Sequence, residues 1–506
     1  VAGPNWLDRV VGGVAPGWAL KRERDRARLN GLRARAEYDG ATYGRRSLGW
    51  KRRTRDANQE LRGPVTVALR GIAHEMVRNN PFAARAATAI ANNLVGAGIT
   101  FQVYRNGKVD ADLTLLARRH FDSTACDAEG RHNLYGLQTL AARSMAVSGA
   151  GLARRRWRRA ADGLPVPFQI QLLEPDYIDM SRHGVLRGGA FQVFGIEFSP
   201  IGKRSAYWLY SAHPGSSNPG AIESKAIPAE DIAHFFRADR PEQQHGATWF
   251  APVILRMKDF GDYEDAQLVR QKIAACFTAF RIGGAGDDGT VPPADSNGDP
   301  IDPSPYLENL EPGIIEDLPD GGDIKFAEPP GVDGYEPYSR ISLQAISAGV
   351  GIPYEVLTGD LSKVSFISGR LGRLQFKTDL EFWQWSVFIP QFCEPAGQWF
   401  LEAAAMAGVD VEGASFKWTP PRFAEMSPET AIPATRDAIR SGQQTISGAC
   451  RERGEDPDVF LAEWAEDAKR LDELGLIFDS DPRRVTQVGN AVGMTVQQMD
   501  KRGQNG

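Results

Sequence analysis

Residues 251–282 read APVILRMKDFGDYEDAQLVRQKIAACFTAFRI, and how they fold decides the rest. Pro252 suits a first helical turn, where its missing N–H has no intrahelical partner to lose. Behind it Val253, Met257, Phe260, Val269, Ile273, Cys276 and Phe280 return at helical spacing. A helix over 251–282 would run about 45 Å at ~1.5 Å per residue. Globular helices average ~11–12 residues, so this one is long enough to leave a body and cross something.

The chain then changes character. Residues 283–336 hold 14 Asp/Glu against one basic residue, Lys325, and are rich in Pro and Gly. Within them GIIEDLPDGGDIKF (313–326) predicts a hairpin turning at Asp320–Gly321, so a small folded module is expected. Tyr338, Ile341, Ala345 and Ala348 mark a second helix. Next comes GVGIPYEVLTGDLSKVSFISGRLG (349–372), broken by Pro353 and Gly359, with a small polar loop carrying one lysine between apolar stretches. Two antiparallel helices with a compact tip make a stalk. A lone stalk exposes apolar surface, which favours burial against copies of itself. A ring of stalks encloses a channel, and the loop would point into it.

The flanking regions read more simply. Residues 61–250 are mixed α/β. Two helices meet at Pro81, with Gly96 and Gly98 ending the second. Strands follow at ITFQVY, FQIQLL, FGIEF and SAYWLY, the last two forming a hairpin over SPIG. Residues 373–407 are helical and aromatic-rich, with kinks expected at Pro390 and Pro395. After WTPPRF the end is helical: Ser427–Pro428 and Asp456–Pro457 each set a capping residue before a proline. Phe460, Trp464, Ala468, Leu471 and Leu474 form an apolar stripe that Gly475 stops.

The 506-residue chain is 42% hydrophobic and 24% charged, ordinary values for a globular protein, and its net charge of −5 suits neither a nucleic-acid coat nor a membrane-surface protein. The average hides blocks. Residues 21–62 hold 14 Lys/Arg against 6 Asp/Glu, a basic arm that either meets nucleic acid or an acidic partner or is a solvated helix and loop. Over 455–481 acids outnumber bases 10 to 2. The run RRRWRR (154–159) offers a phosphate grip, with an exposed strand end as the blander expectation. Cys126, Cys276, Cys393 and Cys450 lie far apart, which favours a reduced, intracellular setting. VAGPNWLDRV lacks the blocks of a signal peptide, and no run nears the ~20 residues that span a bilayer. A soluble chain without a membrane partner is expected.

Catalytic patterns are missing. GGAGDDGT lacks the lysine of a phosphate-binding loop, HEMVR has Arg78 where a zinc helix needs its second His, and GxSxG is absent. The acids of 287–320 have no evident rigid frame for Mg²⁺. No enzyme, metal or cofactor is expected.

Taken in order, YDGATYGRRSLGW, RNNPFAARAATAIANNLVGAGITFQ, EPDYID, HFFRADRPEQQHGATWFAPVI, GVGIPYEVLTGD and AIRSGQQTISGACRERGEDPDVF resemble the portal proteins of tailed bacteriophages, the lambda-like family, over nearly the whole chain. Gln244-His245-Gly246 departs from the family's usual Arg before that Gly, and a local change of partner is expected there. The resemblance implies an α+β, multidomain portal fold assembled as a ring, usually of twelve subunits, at one capsid vertex. Double-stranded DNA is packaged through it by the terminase motor and later ejected. Major capsid protein, scaffold and neck or head-completion proteins are the further implied partners. The implied location is the virion, with assembly in the bacterial host cytoplasm.

In the family's terms 1–60 is the basic N-terminal arm, 61–250 the α/β wing and 251–282 the first stem helix. Residues 283–334 are the clip, a small α/β module with a hairpin, and 335–358 the second stem helix. Residues 359–373 are the tunnel loop, 374–410 a wing helix, 411–480 the helical crown and 481–506 a C-terminal tail. DNA-facing candidates are Asp360, Ser362, Lys363, Ser365, Ser368, Arg370 and Arg373; partner-docking candidates are Asp287, Asp288, Glu316, Asp317, Asp320 and Lys325. A conduit should repel DNA weakly, since each neutralised phosphate adds affinity by releasing counterions; the acidic blocks fit that. Two alternatives stay open: an adaptor, not a ring, that binds nucleic acid through the basic arm, and a metal-dependent nuclease using Asp287, Asp288 or Asp317.

Overall fold

The computed structural model describes residues 55–217, 223–276, 334–362, 364–421, 428–452 and 457–476, with short pieces at 24–25, 49, 280–282 and 323–325. The chain divides into Val1–Asp56 and Ala57–Gly506. Most of the expected basic arm lies outside the described residues. The second unit holds the sheets and the buried core.

After a single turn, α1 (Ala57–Glu60), come α2 (Gly63–Asn79) and α3 (Pro81–Val95). The break at Pro81 is where the sequence puts it. Asn80 takes an extended backbone, and its side-chain oxygen accepts from the N–H groups of Phe82 and Ala83 at 2.9 and 3.1 Å. Ala83, Ala86, Ala87 and Ala91 give α3 a shallow buried face against α5 (Leu134–Val147). Between them lie β1 (Thr100–Arg105), β2 (Lys108–Val109) and α4 (Ala111–Phe121). Helix α5 feeds β3 (Ala150–Trp157), which pairs with β4 (Phe168–Leu173).

A five-stranded antiparallel meander follows: β5 (Gly184–Val185), β6 (Phe191–Val193), β7 (Ile196–Phe198), β8 (Arg204–Tyr210) and β9 (Ser224–Pro228). The expected hairpin is β7–β8. Strand β10 (Ile232–Phe236) then returns to the other edge of β3. The meander keeps its own small core around Ile196, Phe198, Tyr207 and Leu209, separate from the main one.

The main core also holds both feet of the helical excursion. Helix α6 (Ile254–Cys276) contributes Met257 and Phe260, with Val253 just before it; α7 (Tyr335–Val350) contributes Leu343, Ile346 and Val350. The two run antiparallel, with Tyr263 against Tyr335 and Tyr338 at ring separations of 6.1 and 4.2 Å. At the feet a Cβ on Gly349 would collide with Cγ1 of Val253, so only glycine lets the helices come this close. The helix is shorter than the expected 251–282. It is described over Ile254–Cys276, and Phe280–Ile282, expected to continue it, is instead β11, paired antiparallel with β12 (Asp323–Lys325). Period alone could not separate these: Phe280 continues the helical count, but Phe-Arg-Ile also alternates as a strand does. The partner expected for 323–326 across Asp320–Gly321 lies outside the described residues.

Beyond α8 (Tyr354–Thr358), α9 (Phe366–Phe382), a π-helical stretch Trp383–Cys393 and α10 (Glu394–Met406) follow without interruption. At Pro390 the helix departs from the regular α form. The proline, which lacks the N–H of a regular turn, sits inside the π stretch. Strand β13 (Ala414–Thr419) pairs antiparallel with β1, although 411–480 was expected to be helical. Its buried Phe416 and Trp418 alternate with exposed residues and join Phe101, Phe121 and Phe400 in an aromatic cluster. Helices α11 (Pro428–Arg440), α12 (Ile446–Glu452) and α13 (Pro457–Glu473) end the described chain, α11 and α13 starting at the expected prolines.

The arginine run departs from both of its readings at one position. Arg155 points inward, 4% exposed, and its guanidinium joins Asp231 at 2.7 Å and Glu402, tying β3 to α10. Removing one partner of a buried ion pair leaves the others uncompensated at a cost of about 3–5 kcal/mol. Glu402 is partly open to solvent, which screens its charge, so Arg155→Met should lower the unfolding free energy by no more than about 3 kcal/mol, read by urea melts; an unchanged midpoint would show that the network contributes nothing.

Candidate functional site

The loop of 359–373 is shorter than expected, because Ser365 starts α9 inside it. The Ser365 hydroxyl accepts from the Ser368 N–H at 3.2 Å, and the Ser368 hydroxyl accepts from the Ser365 N–H at 3.0 Å, a reciprocal cap. Ser368, Arg370 and Arg373 are consequently helical and exposed. The remaining loop begins at Gly359, whose φ of +74° closes α8.

Asp360 is the hub of that loop. It accepts from the Ser362 N–H and hydroxyl at 2.9 and 2.6 Å and from the Tyr354 hydroxyl at 3.2 Å, while its own N–H donates to Thr358. The Ser362 bonds hold its carboxyl below the usual range. Asp360 is thus first an organiser of the turn, and Tyr354 and Thr358, which sequence reading passed over, are its supports. Lys363 lies outside the described residues. So do Asp287, Asp288, Glu316, Asp317 and Asp320; Lys325 stands in β12 opposite Phe280.

The EPDYID motif resolves into three carboxylates with three partners. Glu174 meets Nε2 of His213 at 3.1 Å, and Asp176 meets buried Arg70 of α2 at 2.7 Å. Asp179 accepts from the Ser181, Ser224 and Tyr210 hydroxyls at 2.5, 2.6 and 2.9 Å. Burial pushes the Asp179 pKa up, but these hydrogen bonds outweigh it and bring the value down to about 2. Glu174, Asp176 and His213 also lie close enough together to suggest a cation site. The tautomer argues against one. Nδ1 of His213 accepts from the Gly215 N–H at 3.0 Å, so the ring proton belongs on Nε2, the atom a metal would need. Arg70 already neutralises Asp176. The cluster is a fastening.

His245, at the departure from the family pattern, is buried against His234 of β10, their rings 5.8 Å apart. Its neighbour Gln244 accepts from Arg204 at 3.0 Å, and its N–H donates to Asn58. Burial, and then the charge of Arg70, lowers the His245 pKa to about 4; burial, with His245 and Arg204 behind it, pushes His234 well below its ordinary value. His120, stacked on Phe168 at 4.8 Å, is lowered by burial to about 4. Among the described residues no helix is long and apolar enough to cross a membrane.

The profile described as "Phage portal protein, lambda family" matches residues 43–384. The chain therefore belongs to the lambda family of phage portal proteins. A probable portal protein of Halomonas phage phiHAP-1 is 26% identical over 428 residues, 81% of either chain. Among solved structures, a chain from the neck of an empty GTA particle computed with C6 symmetry is 16% identical, with a TM-score of 0.47, over 78% of this chain and 94% of that one. An HK97 family phage portal protein from Corynebacterium diphtheriae is 9% identical, with a TM-score of 0.32, over 69% and 95% of the two chains.

The buried histidines make the fold acid-sensitive. Unfolded imidazoles take up protons below about pH 6.5, whereas folded His120 and His245 resist until about 4. Stability is complete above pH 6.5 and falls as pH drops toward 4, by on the order of 3 kcal/mol for each ring. Thermal melts between pH 7 and 4 should show this decline, and a His120→Phe/His245→Phe variant should make it shallower, with buried His234 left to contribute the remainder. An equally steep decline in the variant would assign acid sensitivity to other groups.

Proposed function

We propose that this portal protein works as one subunit of a closed ring, through which double-stranded DNA enters a capsid at one vertex and later leaves. Family membership over 43–384 supports the class; one surface feature supports the ring. Ile367, Leu371, Leu374, Phe382 and Trp385 are exposed along α9 and its π continuation at spacings of 4, 3, 8 and 3, a single apolar stripe. Ile341 of α7 and Val269 of α6 add to the uncovered apolar surface, at 63% and 54% exposure. A lone chain gains nothing from such a stripe, whereas a second copy packed on it buries about 25 cal/mol per Å² of apolar area.

In this reading α6 and α7 form the stem, the acidic 283–334 the clip, the body the wing and α11–α13 the crown. Asp360 and Ser362, with Lys363, Ser365, Ser368, Arg370 and Arg373, face passing DNA. The clip acids Asp287, Asp288, Glu316, Asp317 and Asp320, with Lys325, meet terminase or a neck protein, and the assembled protein resides in the virion.

Light scattering and negative-stain microscopy of the purified chain should show rings of about twelve subunits, as the family resemblance implies. Leu371→Glu/Leu374→Glu should leave the helical circular dichroism unchanged and yield monomers or small species. Rings that survive in this variant would remove the α9 stripe from the subunit contact. Lys363→Ala should preserve rings and change packaging yield; loss of the ring would count against the loop's role.

A further inference from the structure

The run Arg154–Arg159 has no part in the channel reading. Arg155 faces inward, but alternation along β3 sends Arg154 and Arg156 to the opposite face. There they stand across from Gln171 and Gln169 of β4. Arg158 extends the row past the strand end: its N–H donates to the Pro167 carbonyl at 2.9 Å, and its Nε donates to Oε1 of Gln169 at 2.6 Å. Gln169 is itself fixed, its amide donating to the carbonyls of Ala125 and Asp127. The third guanidinium is therefore held in place.

No described carboxylate forms an ion pair with Arg154, Arg156 or Arg158; Asp231, the acid beside Arg154, is bonded to Arg155. Burial, and then the like charge of Arg156, lowers the pKa of Arg154, with the charge of Asp231 acting against them.

We propose that Arg154, Arg156 and Arg158 form a binding row for the phosphate backbone of duplex DNA, on a different element from the loop after α8. Same-face residues of a strand recur every ~6.6 Å, and duplex DNA carries one phosphate per ~3.4 Å of axis on each strand, so neighbouring guanidiniums of the row can reach different phosphates. The row carries no feature that reads bases, so it would hold DNA of any sequence. The choice of DNA over an acidic protein segment rests on the portal reading above; the row of three guanidiniums on one face does not.

The test is fluorescence anisotropy of a labelled 30-base-pair duplex with the full chain and with Arg154→Gln/Arg156→Gln/Arg158→Gln, from 50 to 200 mM NaCl. The basic arm is present in both proteins and cancels in the difference. Each phosphate contact contributes about −0.9 to the slope of log K against log salt, so the triple variant should lose about 2–3 from the slope and at least ten-fold in affinity. Arg156→Gln alone should lose about 1 from the slope, which guards against misfolding of the triple. A wild-type slope in both variants overturns the proposal. Displacement of the DNA by poly-L-glutamate as effective as by unlabelled duplex also overturns it, in favour of an acidic protein partner. Ring formation of the unaltered chain, scored separately by microscopy, reports on the portal reading itself.

Discussion

The helical excursion of this fold depends on the close contact between Gly349 and Val253. The chain leaves its body as α6 and re-enters as α7, and both helices must be anchored in one core for the excursion between them to be held. At the crossing there is no room for a side chain on one partner. Met257 and Phe260 on one foot and Ile346 and Val350 on the other are then buried together, each worth about 1.5–3 kcal/mol. The pairing of β1 with β13, more than 300 residues apart, closes the body behind them. The helical pair is in effect a long insertion whose ends are clamped.

Apolar burial supplies most of the free energy, but charged ties choose which elements meet. Arg155 joins β3 to α10, Arg70 joins α2 to the EPDYID segment, and Asp179 gathers the hydroxyls of the meander. Such groups are costly to desolvate, and each is tolerated because its partners are in place. The histidines follow the other rule available to a buried titratable group, which is to stay neutral. This difference explains why the carboxylates persist in their charged form while the imidazoles lose theirs.

Where local chemistry decides the backbone, the sequence was readable. Asn80 before Pro81, the prolines that open α11 and α13, and the alternation in β4 and β8 all act within a few residues. Where competing local patterns coincide, or distant contacts decide, it was not. Phe280 fits helix and strand equally. The Ser365–Ser368 cap was hidden in a stretch that looked like plain loop, although a serine three residues before another is a recognisable cue. Arg155 differs from Arg154 and Arg156 only in facing Asp231 and Glu402, which no reading of RRRWRR reveals. The small polar loop between two helices was legible as an element, while the role of Asp360 as its organiser required Tyr354 to be seen beside it.

The π-helical stretch Trp383–Cys393 has a mechanical meaning of its own. Each of its turns holds about one residue more than an α-turn, so the helix entering it and the helix leaving it are out of phase. The stripe on α9 faces outward, while Trp399, Phe400, Ala403 and Ala404 of α10 are buried. Both ends reach the same core, α9 through Phe376 and Leu380 and α10 through Trp399 and Phe400, without a loop between them. The stretch is itself core, with Trp383, Val387, Phe388, Ile389 and Phe392 buried, so the wider turns set the register of the side chains on which the body packs.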